Sequence, residues 1–395
     1  MSVAAPAMAR ILVVDDDPFN RDVLSRRLQH HGHGVDVAEG GAQALQAAQD
    51  TDYDLVLLDI MMPGMDGHQV LSAFKGDDGL AQVPVMMISA LEDTDTVVRC
   101  LASGAEDYLT KPFNPHILRA RVDSALARKR LRDMEQQHAR SLERELEIGR
   151  QIQLGFLPSE LPHVDGWDIA ARFRPARQVA GDFYDLFAVP GAGLGVVIAD
   201  VCDKGVGAAL YMALFRSLLH ASALRGPSTG ADPASTVLDA MSLTNDYIAT
   251  VHERASMFAT VFFGILDPND GQLTYVNAGH DPPMVLGDGA IRAQLLPTAP
   301  ALGLSQGVAM RAESTYLAPG DTLFAYTDGV VDAMGGEEPF GEARLLELLT
   351  GRATGAAALL DTVTEALDAH VGATESFDDV TTVAVRRQPA AHNVT

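Results

Sequence analysis

Three runs near the start of the chain, Ile11-Leu-Val-Val14, Leu55-Val-Leu-Leu58 and Val85-Met-Met-Ile88, are apolar at every position. A strand with one face in water alternates apolar and polar residues. A strand covered on both faces does not, and such coverage needs helices on each side of a parallel sheet. Stretches with helical spacing, Asn20–His30, Ala42–Ala48 and Thr94–Ala102, accompany these runs. The expectation is a doubly wound α/β domain on a five-stranded parallel sheet, with its site at the carboxyl ends of the strands.

Acidic residues stand at those ends. Asp15 and Asp16 follow the first strand, Asp59 follows the third, Ser89 ends the fourth and Lys111 follows the fifth in the run Asp107–Phe113. Carboxylates on neighbouring parallel strands converge on one pocket, and oxygen ligands of this kind suit Mg²⁺. A carboxylate nucleophile, a divalent metal, a hydroxyl and a lysine together form a site for phosphoryl transfer.

The composition then changes. Residues 119–152 hold no proline and no glycine before Gly149, and are rich in Glu, Arg, Gln and Leu. Leu131, Met134, His138, Leu142, Leu146 and Gly149 recur at spacings of three and four, which predicts a long helix with a narrow seam that stops near Pro158 and Pro162. The seam either packs within the chain or makes a coiled-coil-like parallel dimer, with the dimer favoured. Strand-like runs at Gly195–Ala199, Phe258–Leu266, Leu273–Asn277 and Thr322–Tyr326 follow, with helices at Gly207–Leu224, Ala234–Ile248 and Leu345–His370, the last broken near Gly351. Strands in series with separate helices point to an α+β layered β-sandwich. The divisions expected are 9–128, a helical linker over 129–157, and 158–387, with a frayed tail beyond and no further module.

Four acidic clusters mark the second half: Gly181-Asp-Phe-Tyr-Asp185, Ala199-Asp-Val201, Thr327-Asp-Gly329 and Phe377-Asp-Asp379. No histidine–cysteine array accompanies them, so Mn²⁺ or Mg²⁺ is expected rather than zinc. Two such ions about 4 Å apart activate water and stabilise an in-line displacement at phosphorus. The run Lys204-Gly-Val-Gly-Ala-Ala-Leu210 opens a helix, and a packed helix start is favoured there over a phosphate loop.

The motifs Val14-Asp-Asp16, Asp59 with Met61-Met-Pro-Gly-Met-Asp-Gly67, Ser89-Ala90 and Lys111-Pro112 resemble the receiver domain of response regulators. That resemblance implies Asp59 as the phosphoacceptor and Asp16 as the main Mg²⁺ ligand, with Asp15 and the Met61 carbonyl assisting. It makes Lys111 the partner of the phosphoryl group and Ser89 with Tyr108 the switch pair. A sensor histidine kinase would be the phosphodonor.

The runs Val179–Asp185, Ile198–Gly205, Asn277–His280, Tyr326–Val330 and Asp378–Thr381, with Gln153–Pro158 at the entry, resemble the bacterial (SpoIIE-like) branch of metal-dependent PPM serine/threonine phosphatases. Carried over by position, Asp182, Asp200, Asp328 and Asp378 are the metal-site carboxylates, Val201 offers a carbonyl and Asp379 is a neighbour. Ala180 replaces a usual glycine and Cys202-Asp203 a usual Ser-Gly, and neither removes a ligand. No arginine is assigned to the substrate phosphate, Arg174 and Arg177 being candidates. The expected activity is hydrolysis of phosphoserine or phosphothreonine on a protein, by resemblance an anti-sigma-factor antagonist. A receiver-controlled scaffold with an inactive second domain is the alternative.

The net charge of −24 argues against a nucleic-acid partner. Cys100 and Cys202 suggest no disulfide, and no signal or bilayer-spanning run is expected, which together predict a cytoplasmic protein. Other features have plain readings. His30, His31 and His33 read as solvated loop residues, Cys202 as packing, Arg128-Lys-Arg130 as a solvated helix face, and His280 as either structural or near the site.

Overall fold

The computed structural model describes residues 8–90, 94–112, 114–225, 232–351, 354–372 and 378–389. Phe113, Phe377 and the tail beyond 389 lie outside them. The chain divides into two compact units, Met1–Leu142 and Glu143–Thr395.

The first unit runs β1 (Arg10–Val14), α1 (Pro18–His30), β2 (Gly34–Ala38), α2 (Gly41–Asp50), β3 (Leu55–Asp59), α3 (Gly67–Gly76), β4 (Val85–Ser89), α4 (Thr94–Ala102), β5 (Asp107–Thr110) and the first part of α5 (Pro115–Leu154), whose last turns belong to the second unit. The five strands are parallel in the order β2-β1-β3-β4-β5, as the continuous apolar runs require. Alternate residues feed opposite faces. Leu12, Val14, Val56, Leu58 and Met87 meet Val70, Leu71 and Phe74 of α3 in one core. Ile11, Val13, Leu55, Leu57 and Met86 meet Leu24 and Leu28 of α1 and Leu118 and Val122 of α5 in the other.

Local chemistry sets the helix starts. Asp17 caps α1 by accepting from Phe19 N with Pro18 in the first turn, and Asp66 caps α3 in a reciprocal box with Gln69. Helix α5 is one unbroken element of 40 residues, so no secondary-structure break falls at residue 128. Along its second half Leu131, Met134, Leu142, Ile148 and Ile152 are exposed.

The second unit runs β6 (Trp167–Arg174), β7 (Phe183–Val189), β8 (Gly193–Val201), α6 (Val206–Ala223), α7 (Pro233–Val251), β9 (Ala259–Leu266), β10 (Gln272–Ala278), β11 (Met284–Gly287), β12 (Ala290–Gln294), β13 (Glu313–Tyr316), β14 (Thr322–Tyr326), β15 (Met334–Gly335), β16 (Glu338–Pro339), α8 (Glu342–Leu349), α9 (Ala356–Val371) and β17 (Val380–Arg387). Two five-stranded sheets, β13-β10-β9-β8-β7 and β12-β11-β14-β17-β6, form the sandwich. Leu186, Val196, Ile198, Phe262, Leu323 and Val385 pack between them. Met212, Phe215 and Val237 of α6 and α7 cover the outer face of the first sheet. Leu345, Leu360 and Val363 of α8 and α9 cover the second. The result is four layers, α-β-β-α.

One expectation needs correcting. By length and composition α6 is apolar enough to cross a membrane, although no such run was expected. Its residues Ala208, Met212, Phe215, Leu219 and Ala223 are buried in the domain core. The histidine trio also departs from its reading. His30 is exposed, but His33 is buried, its Nδ1 has no hydrogen-bond partner, and burial lowers its pKa.

Candidate functional site

In the first unit β1 and β3 are neighbours, so their carboxyl ends deliver Asp15, Asp16 and Asp59 to one point. Their carboxylate oxygens lie within 4.8 Å of one another. Among the described residues no other three-residue acidic, histidine or cysteine group is as tight. Lys111, just past β5, reaches across with Nζ 2.7 Å from Asp15 Oδ2 and 2.9 Å from Asp59 Oδ1. Burial pushes the Asp59 carboxyl above its ordinary value, against the hydrogen bond and charge of Lys111. Burial also opposes the Lys111 charge, yet its bonds to Asp15 and Asp59 prevail and raise its pKa. Ser89 is buried at the end of β4, and its carbonyl accepts from Lys111 N. The Tyr108 ring is already turned inward, buried among the α3-side core residues. Met61 is exposed in the loop after β3. Three hard carboxylates and one lysine suit a small divalent cation and a phosphoryl group.

In the second unit the site straddles the edges of both sheets. Asp182 enters β7, Asp200 and Val201 end β8, Asp328 follows β14, and Asp378 and Asp379 precede β17. Because β14 and β17 pair, Thr327 and Thr381 sit together: Thr327 N donates to Thr381 O, and Thr381 N to Thr327 Oγ1. Both hydroxyls donate to Asp182 Oδ2, at 2.7 and 2.6 Å, so this carboxylate of the first sheet is anchored on the second. Asp379 accepts Ala176 N on Oδ1 and Gly181 N on Oδ2, each at 2.8 Å, and so straps the loop leading to Asp182. From the last turn of α5 buried Gln153 grips the same loop, donating to Ala180 O and accepting Ala180 N at 3.0 Å.

Two glycines here are steric requirements. A Cβ on Gly329 would stand 1.9 Å from Asp379 O, and one on Gly181 would stand 2.7 Å from Val201 O, which places the Val201 carbonyl against the Asp182 loop.

Crowded charge dominates the electrostatics. Burial, then the charge of Asp200, hold Asp182 well above the usual carboxylate range despite its two threonines. Burial, then Asp328, Asp378 and Asp379, push Asp200 up to about 7. Burial, then Asp378, Asp281 and Asp332, push Asp328 up to about 6. Burial raises Asp379 as well. Lys204 Nζ lies 2.7 Å from Asp378 Oδ2. Buried hard-oxygen donors that repel one another in this way fit divalent cations, which would offset the repulsion.

The candidate histidine is both structural and near the site, since its partner Thr260 pairs across β8 and β9 with Asp200. His280 is buried and neutral, with its pKa lowered to about 4 by burial, and its Nδ1 is 2.9 Å from Thr260 Oγ1. Asn277 accepts from His280 N and donates to the carbonyls of His280 and Leu295, closing the turn. Cys202 Sγ accepts Phe258 N and is half-buried, a packing role. Of the two candidate arginines, Arg174 pairs with Asp368 of α9 and Arg177 is exposed. Sequence reasoning assigned no role to Thr327, Thr381, Gln153 or Lys204, although each sits inside a motif it had quoted. For Thr327 alone a local signal is available, a hydroxyl directly beside Asp328.

Together the fold and the two carboxylate sites define a receiver joined to a phosphatase-type α-β-β-α domain. Comparison with known proteins agrees. The family model of stage II sporulation protein E (SpoIIE) matches residues 190–388, half of the chain, and that of the response regulator receiver domain matches residues 11–123. The chain belongs to the stage II sporulation protein E family and carries a response regulator receiver domain. It is 43% identical over 262 residues to protein IcfG of Synechocystis sp., a match covering 62% of this chain and 41% of the relative. It is 47% identical over 119 residues to the DNA-binding response regulator MtrA of Mycolicibacterium smegmatis, covering 30% of this chain and 51% of that one. The chain thus spans about half, or less, of the length of these relatives. The solved SiaA-PP2C domain of Pseudomonas aeruginosa matches in fold, with a TM-score of 0.51 and 23% identity over 63% of this chain and 98% of that one.

Proposed function

We propose that this protein is a response regulator in which phosphorylation of Asp59 governs a metal-dependent protein serine/threonine phosphatase. The observation that carries the reading is the pair of separate acidic centres, one at the carboxyl ends of the parallel strands and one where Asp182, Asp200, Asp328 and Asp378 crowd at the edges of the two antiparallel sheets. In the receiver, assigned to 9–128, an Asp59 oxygen attacks the phosphorus of a phosphohistidine on a sensor kinase. The O–P bond forms as the N–P bond breaks, and the imidazole leaves. Lys111 steadies the transferred phosphoryl group, Ser89 and Tyr108 register it, and Asp15, Asp16 and the Met61 carbonyl would hold Mg²⁺.

In the phosphatase domain, assigned to 158–387, Asp182, Asp200, Asp328, Asp378 and the Val201 carbonyl would hold two Mn²⁺ or Mg²⁺ ions. Bound there, such ions supply an activated water and neutralise charge at phosphorus. Thr327 and Thr381 orient Asp182. Asp379, with both oxygens on backbone amides, supports the loop more than it offers a ligand. The substrate is a phosphoprotein, and an anti-sigma-factor antagonist is the member of that class the family points to. The exposed first part of the seam of the helical linker, 129–157, with Leu131, Met134, His138 and Leu142 in solvent, supports a homodimer, and a cytoplasmic location fits the partners proposed.

The test is hydrolysis of phosphoserine and phosphothreonine proteins with Mn²⁺, comparing wild type with and without acetyl phosphate against Asp59→Ala. Equal rates in all arms refute the gating. An inert protein with every metal refutes the enzyme and favours the scaffold.

A further inference from the structure

A phosphate monoester carries nearly two negative charges at neutral pH, and a carboxylate-lined site repels it unless cations stand beside it. Metals would meet part of that need, and among the described residues neither expected arginine has an ion pair with the acidic centre. Arg174 is spent on Asp368, and Arg177 is exposed. Lys204 is placed differently. Its Nζ lies 2.7 Å from Asp378 Oδ2, and its side chain keeps 30% exposure, so it stands at the rim of the acidic centre and not inside it.

The backbone at this point is shaped to put it there. Asp203 has φ +74 and Gly205 has φ +86, flanking Lys204 between the end of β8 and the start of α6. Left-handed backbone at a non-glycine residue is unfavourable and persists where its surroundings enforce it. Here Asp203 Oδ1 accepts Lys204 N at 2.8 Å, which stabilises the turn. The lysine follows by four residues Asp200 at the end of β8, and its side chain reaches Asp378 before β17.

We infer that Lys204 is the residue of this chain that binds the substrate's phosphoryl group, using the ammonium it otherwise rests on Asp378. A lysine is a compact charge with three donors, so it can keep Asp378 and donate to a phosphoryl oxygen together. The inference rests on the phosphatase reading and adds to it the anion-binding group that the arginines do not supply.

The test uses full-length wild type, Lys204→Met and Lys204→Arg. It measures binding of inorganic phosphate in the presence of Mn²⁺, Mn²⁺ binding by calorimetry, and steady-state hydrolysis of p-nitrophenyl phosphate. Loss of a charge-assisted contact predicts that Lys204→Met raises both KM and the phosphate dissociation constant about ten- to hundredfold. Its kcat falls less, Mn²⁺ affinity holds or tightens because Asp378 loses a competing cation, and Lys204→Arg recovers most phosphate affinity. Unchanged phosphate binding in Lys204→Met, with weaker Mn²⁺ binding or a lower melting temperature, overturns the inference and leaves Lys204 as a neutraliser of Asp378. If wild type binds Mn²⁺ but neither binds phosphate nor hydrolyses the ester, the phosphatase reading falls and takes this one with it. A wild type that does both while Lys204→Met matches it defeats this inference alone.

Discussion

Asp200→Asn should change sign with metal. Burial and the facing carboxylates raise the Asp200 carboxyl from 3.8 to about 7, so its ionisation in the folded, metal-free protein is opposed. A raised folded pKa contributes stability that is full below the unfolded value near 3.8 and is lost as pH rises through about 7. A shift of about three units corresponds to at most about 4 kcal/mol of lost stability at pH 8. Asparagine keeps the shape and a hydrogen bond to Asp182 but has no charge to bury. In EDTA at pH 8 the variant should therefore melt several degrees above wild type, since about 1 kcal/mol moves a unit of this size by roughly 2–4 °C. At pH 5 the gap should shrink to roughly a third of its pH 8 size, closing only below about 3.8. With Mn²⁺ the order should reverse, because two bound ions, each at a thousandfold excess over its dissociation constant, add about 4.1 kcal/mol apiece to wild type, while the variant has lost a ligand. Calorimetry at both pH values, with and without Mn²⁺, reads all four arms. A variant that melts below wild type in EDTA at pH 8 would refute the charge-crowding argument, and an equal Mn²⁺ response would refute Asp200 as a ligand.

Four other outcomes follow from the geometry. Thr381→Val removes the 2.6 Å bond to Asp182 and should weaken Mn²⁺ binding about tenfold; calorimetric binding at wild-type strength would contradict the anchoring role. Gln153→Leu leaves the buried Ala180 N–H and C=O unpaired and should lower stability by about 1–3 kcal/mol, checked by urea denaturation. Burial holds the His280 pKa at about 4, so its contribution is full above pH 6.5 and is lost as pH falls through 4, at most about 3 kcal/mol. His280→Gln should flatten that acid limb, and parallel pH–stability curves for variant and wild type would count against it. Asp59→Asn should abolish labelling by acetyl phosphate, and retained label, located by mass spectrometry, would move the acceptor elsewhere.

Both unit classes were legible in the residue order, for a physical reason. Strands buried on two faces must be continuously apolar, so Ile11–Val14, Leu55–Leu58 and Val85–Ile88 announced a parallel sheet and, with it, where Asp15, Asp16 and Asp59 would meet. The spacing predicts helix α4 with the bounds it has and a break near Gly351, where α8 and α9 separate. Strands β6, β7 and β17 were not distinguished, because their burial depends on partners far along the chain, as when Val380 pairs with Arg174.

Residue order carries the carboxylate inventory, the helical linker and the two fold classes, all of which are local patterns or fixed-order motifs. Tertiary structure alone decided how the carboxylates are held. Thr327 and Thr381 converge on Asp182 only because β14 and β17 pair in one register and the two sheets then face each other. Asp379 straps a loop about 200 positions away, and Lys204 finds Asp378 across a similar span. Such contacts are set by packing, which a linear pattern does not encode.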